Sequence, residues 1–369
     1  MSKTNAKRIA VLGAGGIGGA LAGYLARSGR DVTVIDQWPE HVMAIKNDGL
    51  RVEDVQESFT VRVTALHICE VSGVARPFDI VLLAFKSYDT VWATHLIAPH
   101  LAEDGFILPA QNGLNDDRVA GIVGYERTVG FVPRFGAAVY EPGHVVRTDL
   151  MDHSVFLMGE LDGTVTTRVR ETVKLFGGIT PHGEPTGNIL AARWTKFALN
   201  CTVNALSGIL GDKRGRLSEE RAALLTMIKT LTRAEVFRIA HALGIAPDAK
   251  KDMPALSAQD LLQARTRADL ERLRAKVDKI GKRSPVKRKP QNPEKPSVRR
   301  RPSFLQDVVK GRKLEIEALN GWAVQKGRET GISTPMNAAI CAVVNRIERG
   351  AAQPGPHNIE ELGRALPAA

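Results

Sequence analysis

Residues Arg8 to Gly19 read RIAVLGAGGIGG, and this short stretch decides how the first half of the chain is understood. Ile9 to Leu12 is an apolar run with strand character. Gly13, Gly15 and Gly18 then form GxGxxG, and Ile17 to Ser28 has the pattern of a helix. A lone GxGxxG carries little weight. Between a strand and a helix it gains a mechanism: the first glycine permits a tight turn, the second lets a phosphate approach the backbone, and the third lets helix and sheet pack closely. The free N–H groups of the first helical turn, those of Gly16 and Ile17 included, then face a pyrophosphate. The stretch predicts a Rossmann-type dinucleotide-binding turn, with a purely structural glycine turn as the alternative.

Reading outward, Asp31 to Ile35 supplies a second strand that ends at Asp36. A carboxylate about twenty residues beyond the glycines is placed to accept hydrogen bonds from the adenosine ribose. It would also repel a 2′-phosphate, so Asp36 favours NAD over NADP unless neighbouring Arg30, Gln37 or a residue distant in sequence alters the balance; an ordinary turn residue is the alternative reading. Asp79 to Ala84 and Gly105 to Pro109 read as further buried strands, delivering Lys86 and Asn112 to their carboxyl ends. In an open parallel sheet the ligand crevice lies beyond those ends, where Lys86 could meet a phosphate or ribose and Asn112 the nicotinamide or the substrate. A plain surface role is the alternative for either. Strand-like segments at Arg127 to Phe131 and Ser154 to Met158 extend the sheet, and proline and glycine punctuate the chain near His182 to Asn188.

From Ile189 the pattern turns helical. Lys196, Asn200 and Asn204 recur every four residues and so share one side of a helix, among Trp194, Phe197, Val203 and Leu206. Such a stripe either ties helices together or walls a ligand cleft. Ser218 marks a new start leading into Ala222 to Leu243, a charged helix spans Ala258 to Ile280, and Ser303 is read as the N-cap of a helix whose apolar positions run from Phe304 to Leu319. Pro335 suits the first turn of a last helix. The expected architecture is α/β: residues 1–187 a Rossmann-type domain, 188–350 an all-helical domain with a basic, proline-rich insertion at 282–302, and 351–369 a C-terminal tail.

The charge balance would suggest a nucleic-acid partner were it not so localised. Between Arg272 and Arg301 thirteen Lys or Arg face only Asp278 and Glu294, a local excess equal to the +11 of the whole chain. Lys282 to Pro302 holds five prolines and no aromatic residue, which fits an exposed tether better than a helix or a base-stacking surface. It could attract polyanions, but no dedicated nucleic-acid or membrane partner is expected. Cys69, Cys201 and Cys341 are widely separated, and the nine histidines show no metal-ligand spacing, so neither a disulfide framework nor a bound metal is expected. No secretory apolar core follows the basic N-terminus, and no uncharged apolar run could span a bilayer, so a cytoplasmic location is the expectation.

Taken together, GAGGIGG at Gly13 to Gly19, AFKS at Ala84 to Ser87, QNG at Gln111 to Gly113, WTKFALNCTVNALSGI at Trp194 to Ile209 and PSFLQDVVKGRKLEIEALNG at Pro302 to Gly321 resemble the ketopantoate reductase family. The resemblance covers Lys7 to Arg349 apart from the basic insertion. It implies Lys196 as general acid, Glu315 assisting beside it, Asn200, Asn204 and Ser303 on the substrate, Asn112 near nicotinamide and substrate, and Lys86 beside the cofactor. The implied reaction reduces a 2-oxo acid, typically 2-dehydropantoate, with NADPH; some relatives use NAD and mandelate-like 2-hydroxy acids. A homo-oligomer such as a dimer is the expected assembly. Two residues depart from the biosynthetic pattern: Asp36 disfavours NADP, and Arg300 stands where a substrate-binding asparagine occurs. A noncatalytic dinucleotide sensor and a polyanion-binding protein are the alternative function classes.

Overall fold

The computed structural model describes residues 7–54, 57–148, 155–179, 183–211, 217–248, 255–283 and 302–368. The chain divides between Leu190 and Ala191 into two compact units. The basic stretch 284–301, with Arg300, lies outside the described residues.

The first unit opens with β1 (Arg8–Leu12), α1 (Gly16–Arg27), β2 (Asp31–Asp36), α2 (Pro39–Asp48), β3 (Leu50–Glu53), β4 (Ser58–Val61), β5 (Thr64–His67) and β6 (Phe78–Leu83). It continues with α3 (Thr90–Ile97), β7 (Leu101–Pro109), α4 (Asp116–Val123), β8 (Val129–Pro133), β9 (Ala137–Glu141), β10 (His144–Arg147), β11 (Phe156–Glu160), α5 (Thr167–Leu175) and β12 (Glu184–Pro185). Strands in the order β5-β2-β1-β6-β7 form a parallel sheet. Its central strands are uninterrupted apolar runs because both faces are covered: Ile9 and Val11 join Leu21 and Leu25 of α1 in one core, while Ala10 and Leu12 join Ala93 and Ile97 of α3 in another. Pairing of Leu12 with Ile35 and Leu83, and of Leu83 with Pro109, brings the carboxyl ends of β1, β2, β6 and β7 level. Everything that leaves those strands therefore emerges along one edge.

Sequence reading missed a second sheet, ordered β4-β3-β10-β9, which packs on α1 through Gly19 against Val145 and Gly23 against Val52. Strands β8 and β11 do form, in a separate three-stranded sheet ordered β12-β11-β8, and Phe131, Phe156 and Phe176 close on one another at 5.1–6.3 Å behind it.

The second unit is helical. It is built from α6 (Ile189–Leu210), which begins just before the division, α7 (Glu219–Ala242), α8 (Ala258–Gln263), α9 (Arg267–Arg283), α10 (Ser303–Val309), α11 (Trp322–Thr330), α12 (Pro335–Glu348) and α13 (Asn358–Gly363). Ser218 caps α7 by accepting from Arg221 N at 3.3 Å. Ile359 and Leu362 of α13 are buried, so the stretch 351–369 contributes to the core.

Three local expectations need correction. The charged helix is two helices, because Thr266 and Asp269 form a reciprocal cap that starts α9. The helix expected from Phe304 to Leu319 stops at Val309, where Gly311 at φ +62° lets Arg312 N reach back to Asp307 O at 2.9 Å. Ser303 is the first helical residue of α10, with Pro302 in the cap position, so its N-cap assignment was one residue off. Among the described residues no helix is long and apolar enough to cross a membrane.

Candidate active site

In the first unit the glycine turn and Asp36 come together. Asp36 is 7% exposed; its Oδ2 accepts from Ala14 N at 2.5 Å and its Oδ1 from Trp38 N at 2.9 Å. An ionised carboxylate offers about four accepting positions, so two bonds leave capacity for hydroxyl donors.

The glycines of the turn are small for different reasons. Gly13 sits at φ +95°, and a Cβ there would come within 2.6 Å of Phe85 N. A Cβ on Gly16 would strike the Ala137 carbonyl, and one on Gly18 the Gly13 carbonyl. Those three are demanded by the protein's own packing. At Gly15 nothing lies within 4 Å of the Cβ position. Gly15 is also the cap residue of α1 and brings no side chain to the first-turn N–H groups. The turn thus presents backbone donors beside open space, which is what an anionic group approaching a helix N-terminus requires.

Lys86 and Asn112 reach the same edge by way of Gln111. Its Nε2 donates to Phe85 O at 3.0 Å and Lys86 O at 3.2 Å, while Ser87 Oγ and Asn115 Nδ2 donate to Asn112 O at 2.7 and 2.8 Å. The chain leaving β6 is therefore knitted to the chain leaving β7.

In the second unit Lys196 is half-buried on α6, while Asn200 and Asn204, further along the same helix, are buried. Buried Glu315 precedes a π-helical turn, Glu317–Gly321, whose closing bond runs from Gly321 N to Ile316 O at 2.9 Å. Two contacts set this segment against α6: Asn320 Nδ2 donates to Cys201 O at 2.9 Å, and Trp322 meets Trp194 and Phe197 edge-on at 5.6 and 5.3 Å. Phe304 lies against Gly208, which brings α10, with Ser303 at its start, onto the later turns of α6. The second-unit residues singled out from sequence thus lie on α6 or on segments packed against it.

The residues that hold this arrangement were not singled out. Asn320 also donates to Asn337 Oδ1 at 2.9 Å, and Asn337 Nδ2 donates to Thr232 O and to Glu235 Oε2. Glu235 accepts in addition from Met336 N and Asn337 N, closing the start of α12. Burial pushes its carboxyl up to about 7, against the pull of those N–H donors. The signal in the sequence is weak: Glu235 stands among Ala234, Val236 and Phe237, but Arg238 follows it, as it would on a solvated helix face. Burial raises the Cys201 thiol well above its usual range and, with the negative Glu317, pushes Cys341 up to about 12, so neither offers a thiolate near neutral pH. Among the described residues no His, Cys, Asp and Glu cluster could hold a metal ion.

The profile of ketopantoate reductase PanE/ApbA matches residues 9–163, and that of the ketopantoate reductase C-terminal domain matches residues 188–348. The chain belongs to the ketopantoate reductase family. Membership makes it an enzyme with NAD(P)-linked oxidoreductase activity. Its relatives in the family include the 2-dehydropantoate 2-reductase of Pyrococcus horikoshii, 27% identical over 342 residues that cover 92% of this chain and 97% of that one. That of Aquifex aeolicus is 28% identical over 344 residues, covering 92% and 96%. Among solved structures, the family member from Ralstonia eutropha superposes with a TM-score of 0.70 at 27% identity, covering 93% of this chain and 99% of that one. D-mandelate dehydrogenase, solved with NADH and anilino(oxo)acetate, shares the fold with a TM-score of 0.71 at 21% identity, covering 93% and 98%.

Proposed function

We propose that this protein is an NAD-linked 2-oxo-acid reductase in which Lys196 exchanges the proton at the substrate C2 oxygen. The observation that carries the coenzyme half is the Asp36 carboxylate, held on Ala14 N beside the glycine turn and followed by exposed, neutral Gln37. Ribose hydroxyls can donate to that carboxylate. A 2′-phosphate would face that carboxylate as a second anion.

The bound nicotinamide supplies or receives hydride, which is the chemistry the protein lacks. The protein's own groups do the rest. Backbone N–H groups at Gly15, Gly16 and Ile17 hold the pyrophosphate, Gly13 and Gly18 permit the approach of turn, strand and helix, and Lys86 adds positive charge for phosphate or ribose. Lys196 donates a proton to the C2 oxyanion during reduction and accepts the hydroxyl proton in reverse. Asn200 and Asn204 orient the acid by hydrogen bonds, since an amide is no convenient proton donor. Glu315 steadies the Lys196 ammonium or a substrate hydroxyl, Ser303 contacts the substrate, and Asn112 orients nicotinamide or substrate.

The name shared by the relatives makes 2-dehydropantoate the first acid to test. The experiment is a matrix of NADH and NADPH against 2-dehydropantoate, benzoylformate and branched 2-oxo acids, run on wild type and Asp36→Ala. NADH is expected to give the higher kcat/KM in wild type, with the preference falling about tenfold in the variant, equivalent to one good charge interaction. A wild-type preference for NADPH, or an unchanged preference in Asp36→Ala, overturns the assignment of Asp36.

A further inference from the structure

One buried side chain at the glycine turn has no role in the scheme above. His41 lies in the first turn of α2, is almost fully buried, and bridges two segments far apart in sequence. Gly143 N, in the turn between β9 and β10, donates to Nδ1 at 2.8 Å, and Nε2 lies 3.0 Å from Ala14 O. Because Nδ1 accepts, the imidazole proton sits on Nε2 and is donated to Ala14 O. The ring is held in plane by Trp38, stacked at 5.3 Å and 14°, and Trp38 N is itself held by Asp36. Asp36 meanwhile takes Ala14 N. Ala14 therefore has its N–H fixed by one side chain and its carbonyl by another.

The geometry has a directional consequence. A trans peptide is planar, with its C=O and N–H pointing opposite ways. Tying Ala14 O to His41 aims the N–H of Gly15 away from α2. We propose that His41 is a positioning residue for dinucleotide binding: it sets the direction of the Gly15 N–H and is steadied in doing so by the β9–β10 turn. This inference rests on the dinucleotide reading of the glycine turn. The second sheet braces the same turn at two other points, Gly16 against the Ala137 carbonyl and Gly19 against Val145.

Three substitutions separate the two ends of the bridge. His41→Gln places an amide near the Nε2 position and keeps the bond to Ala14 O; His41→Asn places one near Nδ1 and keeps only the bond to Gly143 N; His41→Leu keeps neither. NADH binding is read by titrating its fluorescence, and thermal melting reports folding. Kd is expected to rise about tenfold in the Asn and Leu variants, the worth of one well-placed hydrogen bond, and to stay within about threefold in the Gln variant. At saturating NADH, kcat and the KM for the acid should match wild type. Equal Kd across the series, or Asn and Gln variants that fall together, overturns the role of His41. So does a fall in melting temperature and active fraction with Kd unchanged, which marks a purely structural histidine. If the Leu variant does not fold, the Asn and Gln pair still decides. Failure of wild type to bind NADH or NADPH overturns the underlying dinucleotide reading instead.

Discussion

The two units differ in what lies where their elements meet. In the first, side chains are absent where main chains must touch: Gly13, Gly16 and Gly18 let strand, turn and helix approach within contact distance. In the second, buried side chains fill the space between helices, with Asn320, Asn337 and Glu235 bonding from the π turn through α12 to α7. A site made of backbone is damaged by adding atoms. A site made of buried amides and carboxylates is damaged by removing them, because each lost partner leaves a desolvated group unpaired.

The largest expected effect separates chemistry from binding. Lys196→Ala should lower kcat by about 10²- to 10⁴-fold, the usual contribution of a positioned proton donor, while NADH Kd stays at the wild-type value. Normal turnover, or parallel loss of NADH binding, would break the division of labour between the units.

A middle-sized effect concerns the buried carboxylate. Glu235 is raised from 4.5 to about 7, chiefly by burial. An acid raised in the folded state contributes stability that is fully present below its unfolded value and is lost as pH climbs through its folded value. Relative to Glu235→Gln, which cannot ionise, wild type should lose about 3 kcal/mol between roughly pH 4 and pH 8. Urea midpoints at several pH values measure this. A gap between the two proteins that does not change with pH would show that the carboxyl titrates in the folded protein as it does in the unfolded one, its three N–H donors offsetting burial.

The smallest effect should stay local. Thr266→Ala removes the oxygen that accepts from Asp269 N and should cost about 1 kcal/mol of stability with kcat unchanged. A change in kcat would show that α9 is coupled to the site on α6.

This contrast also explains what was legible in the sequence. The turn from β1 to α1 could be read residue by residue, since an apolar run and glycines at fixed spacing have few other meanings, and Asp36 followed by counting. The β4-β3-β10-β9 sheet could not. SFTV at Ser58–Val61 is short and only partly covered, and HVVR at His144–Arg147, though mostly buried, has its two valines flanked by a histidine and an arginine, so neither carries an apolar run. Periodicity from Phe304 to Leu319 suggested one helix because it is blind to a break and a later π turn; Gly311 was the sole local warning. Lys196, Asn200 and Asn204 stood out through their spacing. Asn320 and Asn337 did not, because a buried asparagine that bonds to another helix is written with the same letter as one in a turn.

The His41 bridge has a further consequence, for the order in which the molecule assembles. The hydrogen bond from Gly143 to His41 closes 102 residues of chain, whereas that from Ala14 to Asp36 closes only 22. Loop closure of that length is slow and entropically opposed until the contacts it permits are made. Strand β1, the turn and α1 can therefore acquire their shape early in refolding, while the aimed Gly15 N–H arrives only once the β9–β10 hairpin has docked. Recovery of NADH fluorescence in a refolding experiment would then clock a late, long-range step, lagging behind the return of helical circular dichroism.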